Sequence, residues 1–325
     1  MSTAETATSL SLAATVLAYL RRNTIVALLL LLAAFVAGIE IVRPGTVTPL
    51  WISNLLLFAA PLGIFAAGQT LVMLTGGIDL SVATVASGAS YLLATNASLG
   101  TPQAILLGLM LGLLVGLANG IGIALMKVQP LVMTLGTGLM TGGFMIVYSQ
   151  RMLASQPRIP PFIQTLGATK LFGAIPYDLF VWAPIAVLMI YALRRMGFGR
   201  LIYAVGDNRA ACELAGVRVW PVLLTAYILC GILAALAGLI LVGGTNASNL
   251  SLADSYLLPS VAAVIIGGTS IFGGRGGYSG SIVGALILTV LTSLLTLLDV
   301  GEPVKQILYG TIILAMAAAY ARLTD

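Results

Sequence analysis

Asp79 is the residue whose surroundings ask most of it. It sits in Leu74-Thr75-Gly76-Gly77-Ile78-Asp79-Leu80-Ser81, with no other charge from Asn54 to Leu74 before it or from Leu80 to Met126 after it. In hydrocarbon a lone carboxylate is costly unless it reaches an interface, a cavity or a partner. Such a group suits three kinds of chemistry. It can carry a coupling proton, accept from a hydroxylated substrate, or cap the helix that opens at Leu80, at whose positive end backbone N–H groups converge. Ser81 is an equal candidate for the cap. Gln69 and Asn119 lie in the same apolar runs and combine donors with acceptors, as a path for hydroxyl-rich molecules needs in place of water. Side chains of this kind also bond helix to helix, so packing and substrate contact both stay open for Gln69, Asp79 and Asn119.

Other chemistries are excluded by residue type or spacing. The chain has no histidine, which removes a Ser-His-Asp triad, an H-E-x-x-H zinc site and a histidine proton relay. Cys212 and Cys230 form neither a C-x-x-C motif nor a metal spacing, so free thiols and no metal site are expected. The stretch Gly267-Gly268-Thr269-Ser270-Ile271-Phe272-Gly273-Gly274-Arg275-Gly276-Gly277 is glycine-rich, yet a phosphate loop needs Gly-Lys, and none of Lys127, Lys170 and Lys305 follows a glycine. Ser279 also occupies the last glycine place of a dinucleotide fingerprint begun at Gly274 and Gly276. The chain is therefore expected to hold no nucleotide or other cofactor and to be no enzyme. Gly76, Gly77, Gly267, Gly268, Gly273 and Gly274 read instead as helix breaks with close packing.

The elements that must position these residues are membrane spans. Of 325 residues, 59% are hydrophobic and 8% charged, against roughly a quarter charged in a soluble domain. A span needs about 20 apolar residues. The expected fold is all-α and polytopic, a single transmembrane domain over 1–325 with about ten helices. No basic patch interleaved with aromatics points to nucleic acid. Residues 1–20 lack the basic start of a cleavable signal, and the apolar run after Arg21-Arg22 is too long for one, so the first span is expected to stay.

Spans are expected near 24–39, 54–74, 80–95, 104–126 and 131–148, then one ending at Arg194-Arg195, then near 221–243, 257–271, 279–298 and 304–322. Residues 149–178 form the longest outer segment, with room for a short surface helix. Ten spans put both termini in the cytoplasm. Arg21, Arg22, Lys127, Arg194, Arg195, Arg200, Arg209, Arg218, Arg275 and Arg322 then fall inside, and Arg43, Arg151, Arg158, Lys170 and Lys305 outside, as the positive-inside rule asks. In this arrangement the turn at Asp79 lies on the cytoplasmic side. Spans 2–5 begin outside and spans 7–10 inside, the layout of an inverted repeat. Gln129-Pro130 through Gly136-Thr137 loosely echoes Glu302-Pro303 through Gly310-Thr311.

Segment 196–220 is the most polar of the inner side. Asp207 and Asn208 are good N-caps, Ala210-Ala211-Cys212-Glu213-Leu214-Ala215 forms helix, and Gly216 suits the position just past a helix end. The spacing predicts a two-turn helix over 208–216, which cannot persist in water alone and so needs a partner surface.

The stretch from Gly68-Gln69-Thr70 through Ser81-Val82 resembles the hallmark of the ribose-type carbohydrate-uptake permeases, the membrane subunits of bacterial ABC importers, with Ala83 where the family usually has glycine. The second glycine stretch resembles the same family. Ala204-Val205-Gly206-Asp207-Asn208-Arg209-Ala210-Ala211 resembles its coupling segment, with Asp207 replacing a usual glycine. The resemblance implies that Asp207, Asn208, Arg209, Ala210, Ala211, Glu213 and Gly216 dock on an ATPase subunit that binds ATP and Mg. It also implies a periplasmic sugar-binding protein, a second permease subunit in a homo- or heterodimer, and location in the lipid of the bacterial inner membrane. The cargo implied is a monosaccharide, a pentose or related polyol, moved by ATP-driven alternating access. Related permeases carry nucleosides or branched-chain amino acids, and an ion-coupled carrier with Asp79 as its coupling site is the rival of another class.

Overall fold

The computed structural model describes residues 23–151 and 157–324. Arg21 and Arg22, assigned above to the inner side, fall outside the described residues. The helices are α1 (Thr24–Val42), α2 (Pro49–Leu74), α3 (Val82–Thr95), α4 (Thr101–Ala124), α5 (Pro130–Arg151), α6 (Pro161–Ala168), α7 (Leu179–Arg195), α8 (Gly197–Asp207), α9 (Arg209–Leu214), α10 (Val219–Thr245), α11 (Leu257–Ile266), α12 (Tyr278–Leu297) and α13 (Glu302–Thr324). A two-stranded hairpin pairs β1 (Lys170–Leu171) with β2 (Ile175–Pro176). Among the described residues, α1, α2, α4, α5, α10 and α12 are each long and apolar enough to cross a membrane, and α7 with α8 qualifies as one span bent by 69°. The protein is all-α and polytopic.

Two helices make the centre. α10, 27 residues long, packs against α2, α3, α4 and α6. It gets that close because α4 carries Gly108, Gly112, Gly116 and Gly120 at every fourth place. A Cβ at Gly112 would strike the Gly231 carbonyl oxygen, and one at Gly120 would come within 3.0 Å of Leu224 Cα. This is the small-xxx-small packing by which apolar helices associate without a hydrophobic driving force. α2 crosses α10 where a Cβ at Gly68 would lie 3.1 Å from Cys230 Cα.

In the two blocks expected to repeat, the first helix is long and buried, α2 with 26 residues and α10 with 27. The second is short in each, α3 with 14 residues and α11 with 10. α5 and α13 then open at the two Pro-containing echoes, Pro130 and Glu302-Pro303. At 1.5 Å per residue α11 reaches about 15 Å, half a bilayer core. The expected span 257–271 is therefore a half-length helix, because Gly267-Gly268 stops it although the apolar run continues to Phe272. The other departure is α8, a helix over the part of the inner segment ahead of 208 where none was expected. Ile202 and Val205 are buried on its inner face.

The outer segment holds the expected short helix, α6, whose Ile163 is buried against the end of α10. Beyond it Asp178 precedes α7 with both carboxylate oxygens buried and without a hydrogen-bond partner. Burial pushes its carboxyl from 3.8 up to about 7. A carboxyl whose pKa is raised on folding holds its proton longer in the folded state, so stability is full below the unfolded value and falls as pH rises toward 7. Asp178→Asn is therefore expected to raise the unfolding temperature in detergent at pH 8 and to leave it unchanged at pH 4. Parallel profiles for the two proteins would contradict this.

Candidate functional site

Leu74 ends α2, and the chain turns through Gly76, at φ +79, before α3 opens at Val82. The turn is not exposed. Gln69, Asp79 and Asn119 are each 0% exposed, and the structure gathers all three. Gln69 reads the backbone of Asp79, donating from Nε2 to its carbonyl at 2.6 Å and accepting from its N–H at 3.3 Å. Asp79 Oδ1 accepts from the Ser81 N–H at 2.9 Å and from its hydroxyl at 2.6 Å. Asn119 donates to Ser81 Oγ at 3.0 Å, and Thr137 donates to Asn119 Oδ1. Thr134 Oγ1 accepts from Leu80 N at 3.1 Å. Helices α2, α4 and α5 thereby hold one turn, and the carboxylate is enclosed by protein. Asp79 Oδ2 is left without a partner, as is the buried Tyr227 hydroxyl.

That geometry separates two substitutions. Asp79→Asn keeps an oxygen for both Ser81 donors and is expected to insert normally and to stay folded. Asp79→Ala orphans a buried N–H, at a cost of about 1–3 kcal/mol, and is expected to lower the unfolding temperature. An equal loss for both would give the negative charge itself a structural role.

The second glycine stretch lies against the first. The Gly274 N–H donates to the Leu74 carbonyl at 3.0 Å, joining the two breaks backbone to backbone. Gly206, near the end of α8, completes the contact. A Cβ there would strike the Leu74 carbonyl oxygen and come within 2.7 Å of Gly274 N. A Cβ at Gly273 would lie 2.7 Å from the Gly206 carbonyl and 2.9 Å from Gly76 N, and one at Gly274 would lie 2.9 Å from Asp207 Cα. Gly273 and Gly274 also run at φ +91 and +70, where a side chain is strained. Tyr203 donates to the Gly276 carbonyl at 2.9 Å, and Arg194 to Ser279 Oγ at 3.2 Å. Three distant segments thus meet with no side chain between them.

One residue beyond this clasp begins α9. Asn208 is its cap, accepting from the Ala211 N–H at 2.9 Å, whereas Asp207 belongs to α8. Gly216, at φ +80, closes the helix: its N–H donates to Glu213 O at 3.0 Å and that of Val217 to Cys212 O at 2.9 Å, a Schellman ending. Arg209 pairs with Glu213 at 3.3 Å in solvent. Cys212 is buried and anchors the helix, while Ala210, Ala211 and Leu214 are exposed, Leu214 by 91%.

Residues 51–317 match the family described as branched-chain amino acid transport system / permease component. The chain belongs to this permease family. The match covers both glycine breaks and α9. Among curated relatives, the ribose import permease protein of Bacillus subtilis (strain 168) is 37% identical over 286 residues, 85% of this chain and 86% of that one. The ribose import permease protein of Escherichia coli (strain K12) is 32% identical over 306 residues, 91% and 92% of the two chains. The fructose import permease protein of Rhizobium meliloti is 34% identical over 267 residues, 80% and 74% of the two chains. No solved structure matches.

Sequence reasoning missed Gly206 and Tyr203. The signal for them was the helical spacing of Gly199, Ile202, Val205 and Gly206, which marks a packed face ahead of the exposed α9.

Proposed function

We propose that this permease is the membrane subunit of a bacterial ABC importer for a monosaccharide, a pentose or related sugar or polyol, and moves it by ATP-driven alternating access. The observation that carries this reading is α9, an exposed six-residue helix with apolar Leu214 outermost, set one residue from a clasp that ties α8 to both helix breaks. A helix this short needs a partner to gain from its exposure. Its place suits a groove on a cytoplasmic ATPase, which binds ATP and Mg. Docking residues would be Asn208, Arg209, Ala210, Ala211, Glu213 and Gly216, with Asp207 holding the clasp end. The names of the ribose and fructose relatives favour sugar over the amino acids of the family description.

Alternating access follows from the mechanics. Force applied at α9 reaches Gly206, and through it Leu74 and Gly274, without a compliant side chain on the way. The half-length α11 and short α3 then tilt with the turns they adjoin, as broken helices do in transporters built from inverted repeats. α5 exposes Leu135, Leu139 and Met140, and a Cβ at Gly136 or Gly143 would meet nothing within 4 Å. That face suits close approach by a second permease subunit, with lipid on the remaining sides. A periplasmic sugar-binding protein would deliver cargo to the face opposite α9, and both termini would lie in the cytoplasm of a cell whose inner membrane holds the complex.

The test is sugar uptake into vesicles. Permease alone under a proton gradient is expected to accumulate no ribose, and permease with its ATPase, binding protein and ATP to accumulate it. Accumulation by the permease alone would replace this reading with an ion-coupled carrier.

A further inference from the structure

Gln69 is paired with the Asp79 backbone and Asn119 with Ser81 and Thr137, which leaves Asp79 Oδ2 as the one open polar atom of these three side chains, fully buried in its turn. On the side of the molecule away from α9, a cavity of about 630 Å³ opens between the start of α2, the approach to α11, the end of α12 and the start of α13. This is within the range of small-molecule sites. Its wall includes Trp51, Tyr256, Thr289, Thr292, Ser293 and Tyr309.

The protons of that wall are already assigned. Thr289 donates to Ala285 O at 2.8 Å and Thr292 to Leu288 O at 2.7 Å. Each threonine has a single hydrogen, so both oxygens remain as acceptors. Thr292 stands 2.6 Å from the Tyr309 hydroxyl; with the Thr292 proton on Leu288 O, Tyr309 is the donor in that pair and keeps its own lone pairs. Trp51 Nε1 donates to Ser293 Oγ at 3.1 Å. Among the described residues Ser293 donates to no acceptor, which makes it the free donor. Charged members of the wall, Arg43, Asp299 and Glu302, are exposed, whereas Thr289 and Tyr309 are buried. The interior is thus uncharged, rich in acceptors and flanked by aromatic rings.

We infer that this cavity is a saccharide site within the single subunit, with Thr289, Thr292 and Tyr309 accepting sugar hydroxyls, Ser293 donating, and Trp51 and Tyr256 facing the C–H surface of the ring. A polyol offers many O–H donors and has apolar faces that suit aromatic planes. A free amino acid would instead bring a carboxylate and an ammonium group, and no buried charge in the wall answers either. The inference rests on the sugar-import reading above.

The test uses the full chain in lipid nanodiscs, with D-ribose as the probe and Trp51 as the reporter. Ribose is expected to change the emission saturably. Trp51→Phe abolishes the change, and Thr289→Val and Ser293→Ala each move it about 3–10-fold to higher ribose, as loss of one hydrogen bond does. Thr289→Val keeps the side-chain shape, and unchanged thermal unfolding verifies that the variant is folded. A saturable response to L-leucine and none to ribose would overturn the saccharide assignment. So would an unchanged response in both hydroxyl variants, or no response in folded wild-type protein. Failure of ATP-driven uptake by the wild-type complex is read separately and would sink the importer reading, while the fluorescence result decides the cavity.

Discussion

Gly206→Ala is expected to abolish uptake while the permease still binds its ATPase. The added Cβ strikes the Leu74 carbonyl oxygen and lies within 2.7 Å of Gly274 N, and both obstacles are backbone. α8 must therefore retreat from α2, and the hydrogen bond from Gly274 to Leu74 is lost with it. Overpacking of this kind costs about 1–3 kcal/mol, well short of unfolding a membrane bundle, yet it opens the contact through which α9 acts on the two breaks. Uptake in vesicles should fall at least tenfold, with basal ATP hydrolysis by the complex retained. Gly38→Ala in α1 is the control, since a Cβ there meets nothing within 4 Å, and it is expected to change neither folding nor uptake on its own. Normal uptake by Gly206→Ala would remove the clasp from the mechanism.

Ala211→Glu is expected to be as severe for a different reason. Asn208 caps α9, which puts position 211 third in the helix, where a glutamate completes a capping box and favours the N-terminal dipole. The helix itself should gain, and Ala211 is exposed, so nothing within the chain is disturbed. Only a surface docked on α9 feels the added charge and bulk. The variant should insert at wild-type levels and show the same unfolding temperature, with no uptake and ATP hydrolysis unresponsive to loaded binding protein. Uptake at the wild-type rate would reduce 208–216 to a solvated loop.

What the sequence made legible follows the range of each interaction. α9 could be read from Asn208, the alanines and Gly216 because capping is settled within a few residues, although Asp207 proved to end α8. The polar identity of Gln69, Asp79 and Asn119 was equally visible. Their meeting was not, because it depends on how α2 and α4 lie around the turn. The half-length α11 hid behind an apolar run that continues past Gly267-Gly268, since hydropathy averages over a helix stop that backbone freedom decides. The clasp was illegible for the plainest reason. Residues 74, 206 and 274 touch through backbone atoms, and no residue type announces a backbone partner so far away in the chain.

The most direct measurement of the central claim is ATP hydrolysis by the permease–ATPase complex in nanodiscs as sugar-loaded binding protein is added. We predict that hydrolysis rises with loaded binding protein, that empty binding protein raises it less, and that Ala211→Glu removes the rise. Hydrolysis indifferent to loaded binding protein in the wild-type complex, with the ATPase bound, would contradict the account.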